Sequence, residues 1–196
     1  MSTVRALNGL TVPAMAARLR NVVVTGANSG LGFLAARRFA LTGRWRVLLC
    51  CRSGEKAQEA ADIILGDSAL PAQVKRRNAG RGSSAPEIVA VDAPLPMHDL
   101  AGVHEFSKIL LDEYVPDGVD VLVNNAGMML PQRDDDPPPV DESVTVQQIT
   151  QTTTVNAVAP TFLSTLLEPR MRTVSIIADP TELSFLPYPT PIDLVC

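Results

Sequence analysis

The sequence has little of several residue types that define common protein classes. Among its 196 residues are three cysteines, and two of them are adjacent at Cys50 and Cys51. That arrangement argues against a disulfide framework and makes a reducing, cytoplasmic environment the default. The two histidines, His98 and His104, form no metal-ligand pattern, so no metal is expected. No apolar run is long enough to span a bilayer, and a net charge of −4 argues against nucleic acid as a partner.

Acidic residues are absent from the first quarter of the chain. Residues 1–54 contain no Asp or Glu but eight arginines. This basic segment suits an anionic ligand, and its first 20 residues also have the composition of an organelle transit peptide. We interpret residues 1–20 as an N-terminal extension, with an imported protein as the alternative.

Short β-branched runs alternate with helical patterns over more than a hundred residues. Strands are predicted at 21–26, 45–51, 87–93, 119–127 and 172–178, and helices at 30–43, 54–66, 99–114 and about 146–169. The first helix has apolar residues at helical spacing, namely Leu31, Leu34, Ala35 and Phe39. Residues 67–86 and 130–143 have loop chemistry. The pattern predicts an α/β fold, a doubly wound parallel sheet of Rossmann type, over residues 21–178, followed by an irregular tail at 179–196.

The stretch VVVTGANSGLG, residues 22–32, joins the first strand to the first helix. Its glycines are Gly26, Gly30 and Gly32. Missing Cβ atoms allow a tight turn and let backbone N–H groups approach a phosphate, while the helix N-terminus adds partial positive charge. A glycine-rich turn without a ligand is the alternative, but its place between a buried strand and a helix favours binding.

Four stretches together resemble the short-chain dehydrogenase/reductase family over about residues 20–178. They are TGANSGLG at 25–32, VDAPLP at 91–96, VLVNNAG at 121–127 and VNAVAPTFL at 155–163. GRWRVLLCCRSGEKAQEAA further resembles the branch containing retinol dehydrogenases and protochlorophyllide reductases. The resemblance implies cofactor contacts from Gly26, Asn28, Ser29, Gly30, Leu31, Gly32, Asn125, Ala126 and Gly127, and places Asp92 beside the adenine. For Asn124, a buried amide bridging strands is an equally good interpretation.

The residue after the second strand indicates which dinucleotide is bound. An acidic residue there would bind the ribose hydroxyls of NAD, whereas this chain has Cys51 followed by Arg52. A guanidinium offers forked, charge-assisted donors to a 2′-phosphate, so NADP is the expected cofactor. The alternative is an exposed strand-end arginine. Lys56 could add charge nearby, although a solvated helix lysine is the preferred interpretation.

The catalytic half of the family pattern is largely missing. Asn156 matches the family's proton-relay asparagine, with internal packing as the alternative. The only tyrosines, Tyr114 and Tyr188, are not followed at the fourth position by lysine, and no lysine follows Lys108. Ala178 stands where the family has a serine, and Ser175 lies too early in the strand.

We therefore expect the printed chain to be inactive and C-terminally incomplete, its sheet left with an unpaired edge. The parent function would be an NADP(H)-dependent oxidoreductase that transfers hydride to or from a carbonyl, alcohol or C=C of a small-molecule substrate. The alternatives are a non-catalytic NADP(H)-binding protein and an unstable fragment. A homo-oligomer stays an open alternative.

Overall fold

The computed structural model describes residues 19–79, 87–128 and 150–172. Most of the predicted N-terminal extension, the loop at 130–143, nearly all of the fifth strand at 172–178 and the tail at 179–196 lie outside these ranges. Ser175 and Ala178 lie outside them as well. Within the described ranges, no helix has the length and apolarity needed to cross a membrane.

Strands and helices alternate in the order that the sequence predicts. The four strands are β1 (Arg20–Thr25), β2 (Trp45–Cys50), β3 (Ile88–Ala90) and β4 (Val121–Val123). The helices are α1 (Gly30–Thr42), α2 (Gly54–Gly66), α3 (Ala72–Asn78), α4 (Leu100–Ile109), α5 (Gln151–Thr153) and α6 (Ala159–Leu167). β3 and β4 are shorter than predicted, with three residues each.

The four strands form one parallel sheet in the order β3-β2-β1-β4. Val22 pairs with Val47 on one side and with Val121 on the other. This is the strand order of the first part of a Rossmann sheet, and it confirms the predicted fold class. Beyond β4, Met171 forms a parallel bridge to Val119, where the sequence predicts that a fifth strand begins.

Side chains of the central strands are buried on both faces of the sheet. Val22 and Val24 point into the core shared with α1 and α2, and Val23 points into the core shared with α4 and α6. All three side chains are fully buried, which explains the uninterrupted apolar run in the sequence. Because the four strands are parallel, their carboxyl ends meet at one edge of the sheet.

The predicted apolar face of α1 is confirmed for Phe39, which packs against the core, and wrong for its two leucines. Leu31 and Leu34 are 78% and 55% exposed, whereas the buried residues are Gly32, Ala36 and Ala40. These small residues recur every four positions and let the helix approach the sheet closely. Hydropathy alone favours the leucines and misses this face.

The prediction that residues 67–86 form a loop is also wrong in part. They contain α3, whose Val74 is fully buried. Asn78 at its end donates to the Ile88 carbonyl (2.7 Å) and accepts from the backbone N–H of Glu87 (3.1 Å). The helix is therefore fixed to the start of β3, and residues 80–86 lie outside the described part.

Two helices contain π-helical turns that the sequence does not reveal. α4 continues into a π turn at Leu110–Tyr114, so the predicted helix at 99–114 is not regular. A second π turn at Thr154–Val158 separates α5 from α6 and contains Asn156. Such turns widen the helix locally and often occur at functional sites.

Candidate functional site

A cleft of about 340 Å³ opens at the carboxyl edge of the sheet. It lies where ligands bind in open α/β sheets. Its lining comes from every part of that edge: Gly26, Asn28, Ser29, Cys50, Cys51, Arg52, Lys56, Leu95, Met97, His98, Asn125, Ala126, Gly127, Met128, Gln151 and Val155. The structure thus brings most of the predicted site residues together in one cleft.

The glycine loop between β1 and α1 forms one wall of the cleft. Gly26 and Gly30 have φ values of 63° and 55°, a region that side chains other than glycine rarely adopt. A Cβ on Gly26 would lie 2.9 Å from the Cα of Ala126, so the loop also touches the end of β4 closely. At Gly30 nothing lies within 4 Å of the missing Cβ, so that side of the residue is open, although Gly30 is not among the residues that line the cleft.

The loop is attached to the end of β4 by hydrogen bonds of Thr25 and Asn125. The hydroxyl of Thr25, which is fully buried, accepts from the backbone N–H groups of Asn125 and Ala126, both at 3.0 Å. The amide of Asn125 donates to the Thr25 carbonyl (3.1 Å) and the Gly26 carbonyl (3.3 Å). These bonds fix the loop relative to β4, so Asn125 acts here through the loop.

Replacing Thr25 by valine tests this attachment. Valine keeps the shape but leaves the N–H groups of Asn125 and Ala126 without their acceptor, and we expect a loss of about 2 kcal/mol in unfolding free energy. Urea denaturation followed by circular dichroism measures the loss. Thr25→Ser, which keeps the hydroxyl, is the control and should stay close to the wild type. Equal stability of the valine and serine variants would contradict the assigned role.

The charged side chains that line the cleft are basic. Arg52 is exposed at the end of β2, and Lys56 is half-buried in the first turn of α2. Among the described residues, no carboxylate lines the cleft. Lys56, for which a solvated helix position was the preferred interpretation, thus lies at the wall of the cleft, where it could add charge.

Cys51 lies at the floor of the cleft with its thiol under the glycine loop. Burial raises the pKa of this thiol, while hydrogen bonds from the backbone N–H groups of Ala27 and Asn28 and the charge of Lys56 lower it. Burial also raises the pKa of Cys50, whose side chain lies in the core on the other face of the sheet. Both cysteines are free and buried, and both thiols are held in the neutral form.

Asp92 is exposed just beyond β3 and is not among the residues that line the cleft. Its carboxylate lies against Gly54, the first residue of α2, where a Cβ would collide with its Oδ1. Its backbone N–H donates to the Tyr114 hydroxyl (3.1 Å). The predicted contact between Asp92 and adenine stays a prediction.

Asn156 and Asn124 are both exposed at the β4 side of the cleft. The Asn156 amide accepts from the Met128 N–H (2.8 Å) and donates to the Met128 carbonyl (2.7 Å). It therefore fixes the segment that follows Gly127. Asn124 donates to the hydroxyl of Ser164 in α6 (2.9 Å), so its interpretation as a buried amide between strands is wrong.

Several cleft residues were not expected from the sequence, among them Leu95, Met97, Met128, Gln151 and Val155. Three of them follow strand ends in the chain, and chain order alone does not show that their loops fold over the edge. His98 was considered only as a metal ligand. The position after β3 was the available signal, because loops after parallel strands converge at one edge.

Comparison with known proteins identifies relatives of the chain. No family model matches it. The chloroplastic protochlorophyllide reductase of Pisum sativum is 32% identical over 114 residues, 58% of this chain and 23% of the relative. Retinol dehydrogenase 13 of Homo sapiens is 33% identical over 110 residues, 56% of this chain and 27% of the relative. The matches thus span about a quarter of these curated relatives.

A solved structure shows the same fold. The NADPH-bound carbonyl reductase from chicken fatty liver is 25% identical, with a TM-score of 0.51 over 78% of this chain and 52% of the reductase. The chain is therefore similar in sequence and fold to short-chain dehydrogenases/reductases, as its motifs predicted, with retinol dehydrogenases and protochlorophyllide reductases among its matches.

Proposed function

We propose that this chain binds NADP(H) in the cleft at the carboxyl edge of its sheet. The observation that carries the proposal is the combination of an open glycine loop with a basic lining. Gly26, Asn28 and Ser29 of the loop line the cleft together with Arg52 and Lys56, and no carboxylate is among its described lining residues. A pyrophosphate suits the loop and the N-terminus of α1, and a 2′-phosphate suits the two cations.

Each part of the cofactor has chain residues that would hold it. The pyrophosphate would be bound by the glycine loop, through Gly26, Asn28, Ser29, Gly30, Leu31 and Gly32. The 2′-phosphate would be bound by Arg52 and Lys56. Asn125, Ala126 and Gly127 would lie along the rest of the cofactor, with Asp92 towards the adenine. The bound group would supply a hydride, and the protein supplies its position and charge.

The parent protein, we propose, is an NADP(H)-dependent oxidoreductase acting on a carbonyl, alcohol or C=C of a small molecule. In that protein Asn156 would help hold a proton-relay water. The relatives' names support oxidoreductase chemistry, and the chicken carbonyl reductase was solved with NADPH. The NADP-binding domain would cover residues 21–178, between an extension at 1–20 and a tail at 179–196.

For the printed chain alone we propose cofactor binding without carbonyl reduction. Tyr114 does not line the cleft, and its hydroxyl accepts a hydrogen bond from the backbone of Asp92. No Tyr-x-x-x-Lys pair occurs in the sequence. We propose a cytoplasmic setting, because Cys50 and Cys51 are free and buried. Homo-oligomer formation stays a proposal, which light scattering would test.

Replacing Arg52 by alanine tests the proposed cofactor. Charge-assisted hydrogen bonds to a phosphate contribute about 1.5–3 kcal/mol, so NADPH affinity should fall about 10-fold to 100-fold. NADH affinity should not change, since NADH has no 2′-phosphate. Isothermal titration calorimetry of the purified chain with each nucleotide measures both.

Arg76→Ala is the matched control, because Arg76 is an exposed arginine of α3 that does not line the cleft. It should leave both affinities unchanged. If the wild type bound NADPH and NADH equally, or if R52A kept the wild-type preference, the assignment of the 2′-phosphate to Arg52 would be wrong.

A further inference from the structure

His98 shares the cleft with Arg52 and Lys56. It follows β3 in the connection to α4, and its side chain is exposed at the wall of the cleft. β3 and β2 are neighbours in the sheet, so the segments that follow them meet at the same end of its carboxyl edge. The lining thus contains two permanent cations and one imidazole, in a chain with a net charge of −4.

The acidic side chains on the elements around His98 do not line the cleft. Asp99, the next residue, caps α4 and accepts from the N–H groups of Ala101 (3.1 Å) and Gly102 (3.3 Å). Asp92 lies against Gly54 at the start of α2. The remaining ionisable groups of the lining are the thiols of Cys50 and Cys51, which burial holds neutral. No described lining residue therefore offers a negative charge to an imidazolium at this site.

We propose that His98 is a specificity-determining residue, which when protonated adds a third positive charge for the 2′-phosphate of NADP(H). This inference rests on the proposed cofactor site. A protonated imidazole is a cation and a neutral one is not, so the contribution grows as the pH falls. His98 thereby makes the preference for NADP(H) over NAD(H) greater in a more acidic medium.

The test uses the purified chain and NADP⁺ with NAD⁺ as the comparison ligand, at pH 6 and pH 8. A single added charge in a solvated cleft changes affinity about threefold to fivefold. His98→Asn should weaken NADP⁺ binding by that factor at pH 6 and leave it unchanged at pH 8. Because the phosphate itself titrates near pH 6, the variant is compared with the wild type at each pH.

His98→Lys provides a gain of function that does not depend on protonation. It should tighten NADP⁺ binding about threefold at pH 8 and leave NAD⁺ binding unchanged. His104→Asn is the matched control, because His104 lies on α4 outside the lining and should change neither affinity.

The outcomes separate the two proposals. The role of His98 alone is overturned if the wild type binds NADP⁺ and R52A has its expected effect, but H98N at pH 6 and H98K at pH 8 have no effect. Failure of the wild type to bind NADP⁺ at either pH overturns the cofactor proposal together with it. An equal loss of NADP⁺ and NAD⁺ binding in H98N would mean that His98 contacts the purine, and it would likewise overturn the charge role.

Discussion

Replacing Gly32 by alanine is expected to lower the unfolding free energy by about 3 kcal/mol and to weaken NADPH binding at least tenfold. Gly32 is fully surrounded where α1 begins, and an added Cβ would collide with the Asn125 side-chain amide and with the Gly26 carbonyl oxygen. One obstacle is backbone and cannot rotate away. The other is the amide that attaches the glycine loop to β4, so relief of the clash displaces the loop.

Two measurements separate the stability effect from the binding effect. Urea denaturation gives the unfolding free energy, and calorimetric titration at 10 °C gives NADPH affinity for the folded fraction. Gly66→Ala is the control, since nothing lies within 4 Å of its missing Cβ at the end of α2. That variant should be as stable as the wild type or about 0.5 kcal/mol more stable. Wild-type stability and affinity in G32A would show that the loop tolerates the added methyl group.

The elements that the sequence predicts well are those whose local signals agree with their packing. β1 is an apolar run whose valines are buried on both faces of the sheet. α1 ends before Gly43, which has a φ of 64° and whose N–H bonds to the Ala40 carbonyl at 3.1 Å. A left-handed glycine after a helix is a local signal, so the boundary is visible without the tertiary structure.

Features that depend on distant contacts were missed. α3 has polar and basic residues and a proline at its start, and it is stable because Val74 is buried and Asn78 bonds to the start of β3. The buried face of α1 is made of small residues, which hydropathy does not distinguish. The place of Lys56 in the cleft follows from the direction of the first turn of α2, which residue order does not give.

In the candidate site, the sequence predicts the residues that belong to recognisable motifs but not those that lie in connections without a motif. The glycine loop, Arg52 and the end of β4 have recognisable residues at fixed spacing, and each contributes to the lining of the cleft, although Gly30, Leu31 and Gly32 of the predicted set are not in it. Met97 and His98 lie in a connection without a motif, and they reach the cleft because the chain crosses the edge there before α4. A residue can therefore join a site through topology alone.

Breaking the ion pair between Glu87 and Arg77 is expected to give a large loss of unfolding free energy, and Glu87 is the buried member of the pair. Its side chain is 1% exposed and forms an ion pair with Arg77 of α3, which is one-third exposed. Its carbonyl accepts from the N–H of Val47 in β2 at 2.5 Å. The residue thus joins α3, β3 and β2, and its charge has been removed from water with Arg77 as its ion-pair partner among the described residues.

Breaking a buried pair from one side leaves the other charge without compensation, which costs about 3–5 kcal/mol. Arg77→Met should show this cost in full, because the carboxylate of Glu87 stays buried and loses its cation. Glu87→Leu removes the more buried charge and should cost less. Urea denaturation of each variant at 25 °C, with the unfolding midpoint followed by circular dichroism, measures both free energies.

The double variant Arg77→Met with Glu87→Leu distinguishes electrostatic pairing from simple packing. If the ion pair governs the effect, the double variant should be more stable than R77M alone, because no unpaired charge then remains. Glu105→Gln is the control, since the exposed Glu105–Lys108 pair at 2.9 Å on α4 should contribute nothing measurable. Additive losses in the double variant would show that α3 is fixed to the sheet by Val74 and Asn78 rather than by the Arg77–Glu87 pair.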